Sequence, residues 1–415
     1  MSKYLLLLAA LTLLISLFVM LPNTSQSAGL PKLNNKGTDA IDRMLEAAAT
    51  NKEIPGVVAA VVNKDQILYL KAFGKQDVGK NIPMAKDTMF RIASMTKPVT
   101  SVAIMMLVEQ GKLRLEDLAN QYLPALKGRE VIATFNEKDG TYTTRPAKQE
   151  MTIRHLLAHT SGFGYGFASQ TVTTLQQKAK LNPRDMPLLF DPGTKWQYSH
   201  STAVLGDIVK KITGQSLEEY YQANIFRPLH MADTSYYLPD EKLARLVTTH
   251  RREANGLVEN PNPAKYTGTE QGDGGLVSTA SDYAAFLQMF LNEGSWHSAR
   301  LLKANSVRQM ASNQIGSVIV GEMPAVIPTL SSAFPFGAGK DKFGLGFQIT
   351  MTEGKAMHER SADSYTWAGI FNTHFWVDPK RGIGVVFLTQ ELPFYDATTM
   401  DVMKRFERLI YQNLQ

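Results

Sequence analysis

Cysteine is missing from this chain of 415 residues, and so are long runs of a single charge. Without cysteine the protein forms no disulfide, binds no metal through thiolates, has no cysteine nucleophile and carries no lipid on a cysteine after a leader. The net charge of +6 is spread thinly, with no run rich in lysine or arginine. This distribution argues against nucleic acid as the main partner.

Long apolar runs are also scarce, and the exception lies at the N-terminus. Lys3 precedes an almost entirely aliphatic run from Tyr4 to Leu21, which predicts an export signal, and Ser25 and Ser27 fit the small-residue rule for cleavage after Ser27. The run also just reaches membrane-spanning length. We therefore expect residues 1–27 to be a signal peptide or an N-terminal anchor, with the folded part exported to the periplasm or the outside. Any membrane attachment would use this segment only.

The chain is β-rich near both ends of its folded part. Val57 to Asn63 and Ile67 to Phe73 predict two strands with a short turn between them, which is the pattern of an antiparallel hairpin. Three more strands are predicted near the C-terminus, at 364–367, 372–377 and 384–389. A helix from 397 to 414 with one apolar stripe closes the chain.

Between these two parts the sequence changes character. From about 123 to 330 it is rich in helical patterns, loops and proline. The order predicts an α+β fold, in which an antiparallel sheet flanked by helices is built from N- and C-terminal segments around an inserted, mainly helical domain. A site belongs in the cleft between the two parts. The expected boundaries are a linker at 28–37, a sheet domain at 38–122 and 336–415, and an inserted helical domain at 123–335.

Capping residues predict where two of the helices begin. Thr38 can cap a helix that runs to about Ala49. Ser281 and Asp282 can cap a helix from Tyr283 to Leu291. Both predictions depend on a side-chain oxygen that accepts a hydrogen bond from the first helical turn.

Ser94 and Lys97 lie in the first turn of another predicted helix. Apolar residues recur three and four apart from Val99 to Leu107, and Gly111 ends the pattern. Pro98 is tolerated only near a helix start, which places the first turn at about Ser94. There the hydroxyl of Ser94 and the amine of Lys97 share one face and form a nucleophile and base pair. A surface pair on an ordinary helix is the alternative, because one Ser-x-x-Lys spacing is expected by chance.

His155 and His159 form a second candidate, because histidines four apart on a helix can bind a metal. No glutamate follows His155, however, and no third ligand is evident. We therefore expect these histidines to pack and to form hydrogen bonds, and we expect no metal.

Several further motifs follow Ser94-Met95-Thr96-Lys97 in a fixed order. They are Gly111 to Asp117, His155 to Gly162, Tyr198-Ser199, Gly275 to Thr279, Gly344 to Phe347, and Trp367-Ala368-Gly369. Together they resemble the serine β-lactamase-like superfamily, specifically its class C β-lactamase and family VIII carboxylesterase branch. The resemblance covers roughly Asp39 to Asn413, and the ordered set is far more specific than any one motif.

The resemblance implies that Tyr198 is the second catalytic group. A tyrosine beside the lysine ammonium can relay the proton of the Ser94 hydroxyl and protonate the leaving group. A core tyrosine that packs under the helix is the alternative. The family usually has asparagine two residues after this tyrosine, where this chain has His200. Because that asparagine contacts the lysine and the substrate amide, His200 becomes a candidate substrate-binding residue and amide substrates become less certain.

The third motif, Trp367-Ala368-Gly369, departs from the Lys-Thr-Gly or His-x-Gly of many relatives. By resemblance, the backbone amide of Ile370, just past Gly369, pairs with that of Ser94 to hold the oxyanion, and a side-chain change leaves these amides in place. The missing cation is the one that meets the carboxylate of a β-lactam. Trp367 instead offers an apolar wall that suits neutral acyl groups, unless it is simply a buried strand residue. Trp367 and Gly369 are therefore candidate substrate-binding residues.

We therefore expect an exported serine hydrolase that cleaves carboxylic esters through an acyl-enzyme on Ser94, with a small-molecule ester as substrate. A β-lactamase or D-Ala peptidase that uses the same serine on a lactam or peptide is the first alternative. A non-catalytic envelope-binding protein that keeps the fold is the second. Neither a cofactor nor a nucleic-acid partner is implied.

Overall fold

The computed structural model describes residues 29–334, 337–351 and 359–415. The helices are α1 Asn35–Thr50, α2 Thr96–Glu109, α3 Ile153–Leu157, α4 Gln170–Lys178, α5 Ser201–Thr213, α6 Leu217–Tyr221, α7 Asp240–Leu243, α8 Ala280–Leu291, α9 Ala304–Met310 and α10 Ala397–Asn413. The strands are β1 Gly56–Val62, β2 Ile67–Asp77, β3 Ile82–Pro83, β4 Phe90–Arg91, β5 Glu130–Phe135, β6 Tyr142–Pro146, β7 Thr249–Glu253, β8 Gly256–Asn260, β9 Val277–Ser278, β10 Ser295–Trp296, β11 Ala299–Arg300, β12 Lys342–Phe343, β13 Gln348–Ile349, β14 Tyr365–Gly369, β15 Thr373–Asp378, β16 Ile383–Leu388 and β17 Glu391–Leu392.

The main sheet joins strands from both ends of the folded part. Within the described residues it has eight strands in the order β12-β13-β14-β15-β16-β1-β2-β3, and each neighbouring pair is antiparallel. Strand β1 lies between β2 of the predicted hairpin and β16 from the C-terminal segment. The predicted α+β fold, with a sheet built from N- and C-terminal segments, is therefore confirmed.

Both faces of β1 are buried, which explains its continuous apolar sequence. Val57, Ala59 and Val61 pack in one core with residues of α1 and α10. Val58 and Ala60 pack in the larger core on the other face, with residues of α2 and α8. Because side chains alternate along a strand, this one element holds the two helical layers together.

Helix α1 begins earlier than the predicted cap at Thr38. Asn34 is the N-cap, and its side chain accepts a hydrogen bond of 2.7 Å from the backbone N–H of Gly37. Thr38 instead donates its hydroxyl to the carbonyl of Asn35. Asparagine is the stronger N-cap residue, so residues 35–37 of the predicted linker are helical.

Helix α8 also begins before its predicted cap at Ser281 and Asp282. Its N-cap is Thr279, whose side chain accepts from the backbone N–H of Asp282. Asp282 therefore lies inside the first turn and not in front of it. Its carboxylate accepts a hydrogen bond from the hydroxyl of Thr234.

The described middle of the chain contains more helix than strand, together with β-hairpins that the sequence patterns did not predict. These hairpins pair β5 with β6, β7 with β8, and the short strands β10 and β11. Residues Pro31–Gln415 form one compact unit by their internal contacts. The boundary proposed between a sheet domain and a helical domain stays a prediction, and its C-terminal position at 335/336 lies outside the described residues.

Residues 1–27, the expected signal peptide or anchor, also lie outside the described residues. Among the helices that the structure describes, none has both the length and the apolar character needed to cross a membrane.

A partly free strand edge positions the cleft. Strand β13 pairs with Tyr365 and Thr366 at the start of β14. In the part of the chain that the structure describes, Trp367 to Gly369 pair only with β15. The end of β14 lies against the turn that leads into α2, because a β-carbon at Gly369 would come within 2.4 Å of the carbonyl oxygen of Ile92.

Candidate active site

Ser94 lies in a tight turn held in an unusual backbone conformation. Residues Ala93–Met95 form a 3₁₀ turn directly before α2. Ala93 has a φ of 44°, a left-handed conformation that an L residue adopts at a cost of about 1 kcal/mol or more. The preceding Ile92 is anchored on both sides, because its N–H donates to the carbonyl of Leu276 and its carbonyl accepts from Met95. The turn therefore fixes the position of the Ser94 hydroxyl.

Lys97 lies one turn further along and reaches Ser94, as predicted. Its Nζ atom is 3.0 Å from Ser94 Oγ and 2.7 Å from the backbone carbonyl of Asp273. The residue is 2% exposed, and its Nζ lies 5.3 Å and 4.8 Å from the ring centres of Tyr165 and Tyr198. The amine is thus held between one carbonyl and two aromatic faces.

Tyr198 meets the same oxygen from the other side. Its hydroxyl donates a hydrogen bond of 2.7 Å to Ser94 Oγ, and the residue is buried. The structure therefore brings together the three side chains that the sequence singled out as catalytic, Ser94, Lys97 and Tyr198, around one hydroxyl group.

His159 supports the segment that carries Tyr198. Its Nδ1 atom is 3.1 Å from Ser199 Oγ, which is itself 2.7 Å from Ser201 Oγ at the start of α5. The imidazole contacts the Tyr198 ring edge-on, with centres 5.1 Å apart. Burial, with a contribution from the charge of Lys97, holds the pKa of His159 well below its usual range. His159 therefore acts as a neutral packing and hydrogen-bonding residue, as predicted.

Tyr165 and Asp273 are site residues that the sequence analysis missed. The hydroxyl of Tyr165 donates to the carboxylate of Asp273, and the ring of Tyr165 lies 4.9 Å from that of Tyr198. Burial, together with the negative charge of Asp273, raises the pKa of Tyr165 well above its usual range. Asp273 thus holds Lys97 through its backbone and Tyr165 through its side chain. The only sequence signal is that both lie in glycine-rich loops.

His200 is turned away from the reacting groups. Its Nδ1 atom is 3.0 Å from the carbonyl oxygen of Gly164, and its ring packs on Phe163 with centres 4.6 Å apart. Burial lowers the pKa of His200 to about 4. His200 is not among the described residues that line the cavity at Ser94, so this geometry does not support its predicted substrate-binding role.

A cavity of about 680 Å³, including open space at its mouth, extends from Ser94. Tyr198, Trp367, Gly369 and Ile370 line it with Ser94. The Trp367 ring lies 4.9 Å from that of Tyr198 and forms part of the aromatic wall. The sequence-predicted residues Trp367, Gly369 and Ile370 therefore lie beside the nucleophile.

Gly369 allows the end of β14 to approach the turn at Ser94. A β-carbon there would lie 2.3 Å from Thr373 Oγ1 and 2.4 Å from the carbonyl oxygen of Ile92. Real side chains do not tolerate such distances, so only glycine fits. This close approach places the backbone of Ile370 next to the turn that carries Ser94.

The cavity carries little net charge. Arg360 is the cationic side chain among the described lining residues, and it forms two hydrogen bonds, of 3.0 Å and 2.8 Å, with the carboxylate of Glu407. Both side chains are 2% exposed. A paired charge of this kind favours uncharged ligands in the remaining space.

The family assignment follows from this site and from a sequence match. A family model described as Beta-lactamase matches residues 41–407. The chain belongs to this family. Its nucleophile motif, its tyrosine and its strand β14 all lie within the matched residues.

Proteins similar to this chain include a named acyltransferase, a named esterase and a named synthase. The ML-236A carboxylate methylbutanoyltransferase of Penicillium citrinum is 27% identical, with 90% of this chain and 94% of the relative covered. The lovastatin esterase of Penicillium rubens is also 27% identical, with 90% and 98% covered. A mutant of simvastatin synthase from Aspergillus terreus has a similar structure, with a TM-score of 0.78, 26% identity and coverage of 91% and 95%. This protein is therefore a serine enzyme of the hydrolase and acyltransferase type.

Proposed function

We propose that this protein hydrolyses carboxylic esters through an acyl-enzyme on Ser94. The observation that carries the proposal is the contact of one oxygen, Ser94 Oγ, with both Lys97 Nζ at 3.0 Å and Tyr198 OH at 2.7 Å. A nucleophile within hydrogen-bond distance of a base, which is itself oriented by a third group, is the arrangement that acyl transfer requires.

In the acylation step Ser94 Oγ attacks the ester carbonyl, its proton passes to the phenol oxygen of Tyr198, and the phenol proton passes to the amine of Lys97, which becomes an ammonium. The ammonium of Lys97, 4.8 Å from the ring centre of Tyr198, stabilises negative charge on the phenol oxygen as the proton moves. The same pair then protonates the alkoxide that leaves as the alcohol. Proton transfer by positioned side chains contributes about 100-fold to 10,000-fold to such rates.

The oxyanion of the tetrahedral intermediate would be held by the backbone amides of Ser94 and Ile370. Two observations support this assignment: Ile370 lines the same cavity as Ser94, and Gly369 packs against Ile92, two residues before the nucleophile. Loss of one such donor typically lowers the rate about 100-fold or more.

In the deacylation step water takes the place of the alcohol. Tyr198 and Lys97 remove a proton from the water, the hydroxide attacks the acyl carbonyl, and the proton returns to Ser94 as the acid leaves. Acylation and deacylation use the same proton route in opposite directions, so one constellation serves both.

The cavity favours neutral, apolar acyl groups over β-lactams and peptides. Trp367 occupies the position where the third motif of many relatives has a cation, and Arg360 is already paired with Glu407. A β-lactam carboxylate in this cavity would therefore lack the charged partner that it usually meets. The activity named for the Penicillium rubens relative, lovastatin esterase, agrees with an ester substrate.

Transfer of the acyl group to an alcohol is a second candidate. The Penicillium citrinum relative is named a methylbutanoyltransferase, and an acyl-enzyme can be resolved by an alcohol in place of water. An alcohol added to the ester assay would then give a new ester by the same Ser94-dependent route.

We also propose that the protein is exported. The support is the aliphatic run from Tyr4 to Leu21 behind Lys3. N-terminal sequencing of the protein from separated cell fractions tests this. Protein that remains in the cytoplasm would contradict export.

Turnover of p-nitrophenyl acetate by the wild-type protein and the Ser94→Ala variant tests the proposed function. Ser101→Ala is the matched control, because Ser101 is a buried serine two turns further along α2. We expect Ser94→Ala to abolish turnover and Ser101→Ala to keep it. Turnover that survives in Ser94→Ala, or nitrocefin hydrolysis that rivals ester turnover in the wild-type protein, would contradict the proposal.

A further inference from the structure

The cavity at Ser94 extends to both faces of strand β14. The ring of Trp367 lies 4.9 Å from that of Tyr198, which contacts Ser94, so Trp367 lies on the face of β14 next to the nucleophile. Ala368 pairs with His374 across β14 and β15, and successive residues of a strand alternate between faces. Ala368 and His374 therefore lie on the opposite face from Trp367, yet all three line the cavity.

We call the part of the cavity on this opposite face the far compartment. It is lined by Thr366, Ala368, His374, Trp376, Phe394 and Met403. Because Trp367 to Gly369 pair only with β15 among the described residues, the cavity can pass around the free edge of β14. A substrate bound at Ser94 can therefore extend into the far compartment without crossing the sheet.

The far compartment is mainly apolar, and the ion pair of Arg360 with Glu407 adds no net charge to it. Trp376, Phe394 and Met403 provide apolar surface. The guanidinium of Arg360 stacks on Trp376, 4.3 Å from the ring centre, and is neutralised by Glu407. Contact with such surface stabilises a bound apolar chain. A carboxylate or an ammonium would lose its hydration there and, among the described lining residues, would find no free partner of opposite charge.

His374 is a polar residue that lines this compartment. It is 6% exposed, and its Nε2 atom has no hydrogen-bond partner within the residues that the structure describes. The ring stacks on Phe394, with centres 5.9 Å apart. A buried ring nitrogen without a hydrogen-bond partner is unfavourable, and a polar ligand group that pairs with it removes this penalty.

His374 is neutral at physiological pH. Burial, with a further contribution from the positive charge of Arg360, lowers its pKa to about 3. A neutral imidazole nitrogen either donates or accepts one hydrogen bond, depending on the tautomer. A hydroxyl group suits both tautomers because it can donate and accept.

We propose that the far compartment binds the acyl chain of the substrate, and that this chain is apolar and carries a hydroxyl group that pairs with His374 Nε2. The proposal rests on the proposed ester hydrolysis at Ser94 and adds the class of acyl group. Ala368 in β14 and Ile370 just after it line the cavity where the acyl chain would pass between the two faces. The substrates are then esters of medium-length hydroxy acids.

Acyl preference is the quantity to measure. The kcat/KM values are determined for p-nitrophenyl acetate, octanoate, and octanoates with a hydroxyl at carbon 6, 7 or 8, and each is divided by the acetate value. We expect octanoate to exceed acetate, and at least one hydroxyoctanoate to exceed octanoate by about tenfold, the effect of one added hydrogen bond.

Three variants test the role of His374. His374→Phe should remove the preference for the hydroxyl while it keeps the preference for octanoate over acetate. His374→Gln, which keeps a hydrogen-bonding group, should restore part of the hydroxyl preference. His250→Phe is the matched control, because His250 is also a buried strand histidine whose ring nitrogens have no described partner, and it does not line the cavity.

A substitution at the edge of β14 tests the path of the chain. Ala368→Trp should lower the octanoate-to-acetate ratio by about tenfold or more, because a large side chain there fills the passage. Circular dichroism and thermal unfolding establish that each variant folds.

Two outcomes would overturn this inference while leaving the proposed ester hydrolysis intact. The first is a wild-type enzyme that hydrolyses p-nitrophenyl acetate but shows no preference for a hydroxyl group, and the second is a hydroxyl preference that persists in His374→Phe. A wild-type protein that hydrolyses none of the esters would instead contradict the proposed function, and the inference with it. The acetate reaction therefore separates the two failures.

Discussion

The hydroxyl of Tyr198 donates a hydrogen bond of 2.7 Å to Ser94 Oγ, although the two residues are 104 positions apart in the chain. The contact depends on two separate structures, the 3₁₀ turn before α2 and the segment before α5 that His159 supports. Because the phenol and the amine of Lys97 both reach the same oxygen, each can take part in moving the serine proton.

Removal of the Tyr198 hydroxyl should affect catalysis far more than folding. For Tyr198→Phe we expect kcat for p-nitrophenyl acetate to fall by about 100-fold to 10,000-fold, the usual contribution of a general acid or base. Tyr365→Phe is the control, because Tyr365 is a buried tyrosine of β14 that is not among the described cavity residues. Equal activity of the two variants would remove Tyr198 from the mechanism.

The Tyr165 and Asp273 contact should position Lys97 and Tyr198 without taking part in the chemistry. Asp273→Asn keeps the backbone carbonyl that accepts from Lys97 but removes the charge that Tyr165 meets. We expect kcat to fall by about tenfold with KM nearly unchanged, because a small displacement of the reacting groups slows the step after binding. A change in KM alone would argue that the pair contacts substrate instead.

The choice between ester and lactam substrates should respond to residue 367. Trp367→His introduces a His-x-Gly form of the third motif and removes apolar wall. We expect kcat/KM for p-nitrophenyl octanoate to fall by about tenfold, a loss in line with the apolar surface removed, while the ratio of nitrocefin to ester turnover rises. An unchanged ratio would show that Trp367 does not set this preference.

The buried His200 should make folding stability depend on pH. Its pKa in the folded protein is about 4 because of burial, whereas an unfolded histidine has a pKa of about 6.5. Between these two values the unfolded chain binds more protons, so the free energy of unfolding decreases as the pH falls from about 6.5 towards 4, by up to about 1.4 kcal/mol per pH unit.

Urea unfolding at pH 7, 6 and 5 measures this effect as the difference between wild type and His200→Asn. The difference cancels the contributions of other buried groups, such as Glu391, whose pKa burial raises to about 7. We expect the variant to lose less stability than the wild type as the pH falls. If the wild type and the variant lose the same stability as the pH falls, His200 is not the source of the pH dependence.

Local features of the site were predictable from the sequence, and long-range contacts were not. The three-residue spacing of Ser94 and Lys97 on a helix start predicted their contact, since it depends only on helix geometry. Tyr198 was found through the resemblance, because nothing near it in the sequence shows that it meets Ser94. Tyr165 and Asp273 were missed for the same reason: their contact joins two loops 108 positions apart.

The errors in the predicted secondary structure also have physical reasons. Thr38 was a reasonable cap by residue type, but Asn34, four residues earlier, competes for the same helix and is the stronger N-cap. The hairpin of β5 and β6 was missed because its strands are largely exposed or half-exposed, which leaves little apolar alternation. Strands β1, β15 and β16 of the main sheet are fully buried and were predicted closely.

Acyl-enzyme trapping tests the central claim most directly. The wild-type protein is mixed with p-nitrophenyl octanoate, quenched in acid within the first turnovers, and mapped by peptide mass spectrometry. We predict an added octanoyl mass on the peptide that contains Ser94, at Ser94 itself, and none on that peptide in Ser94→Ala. An octanoyl group on another residue, or turnover without any acylated intermediate on Ser94, would contradict the account.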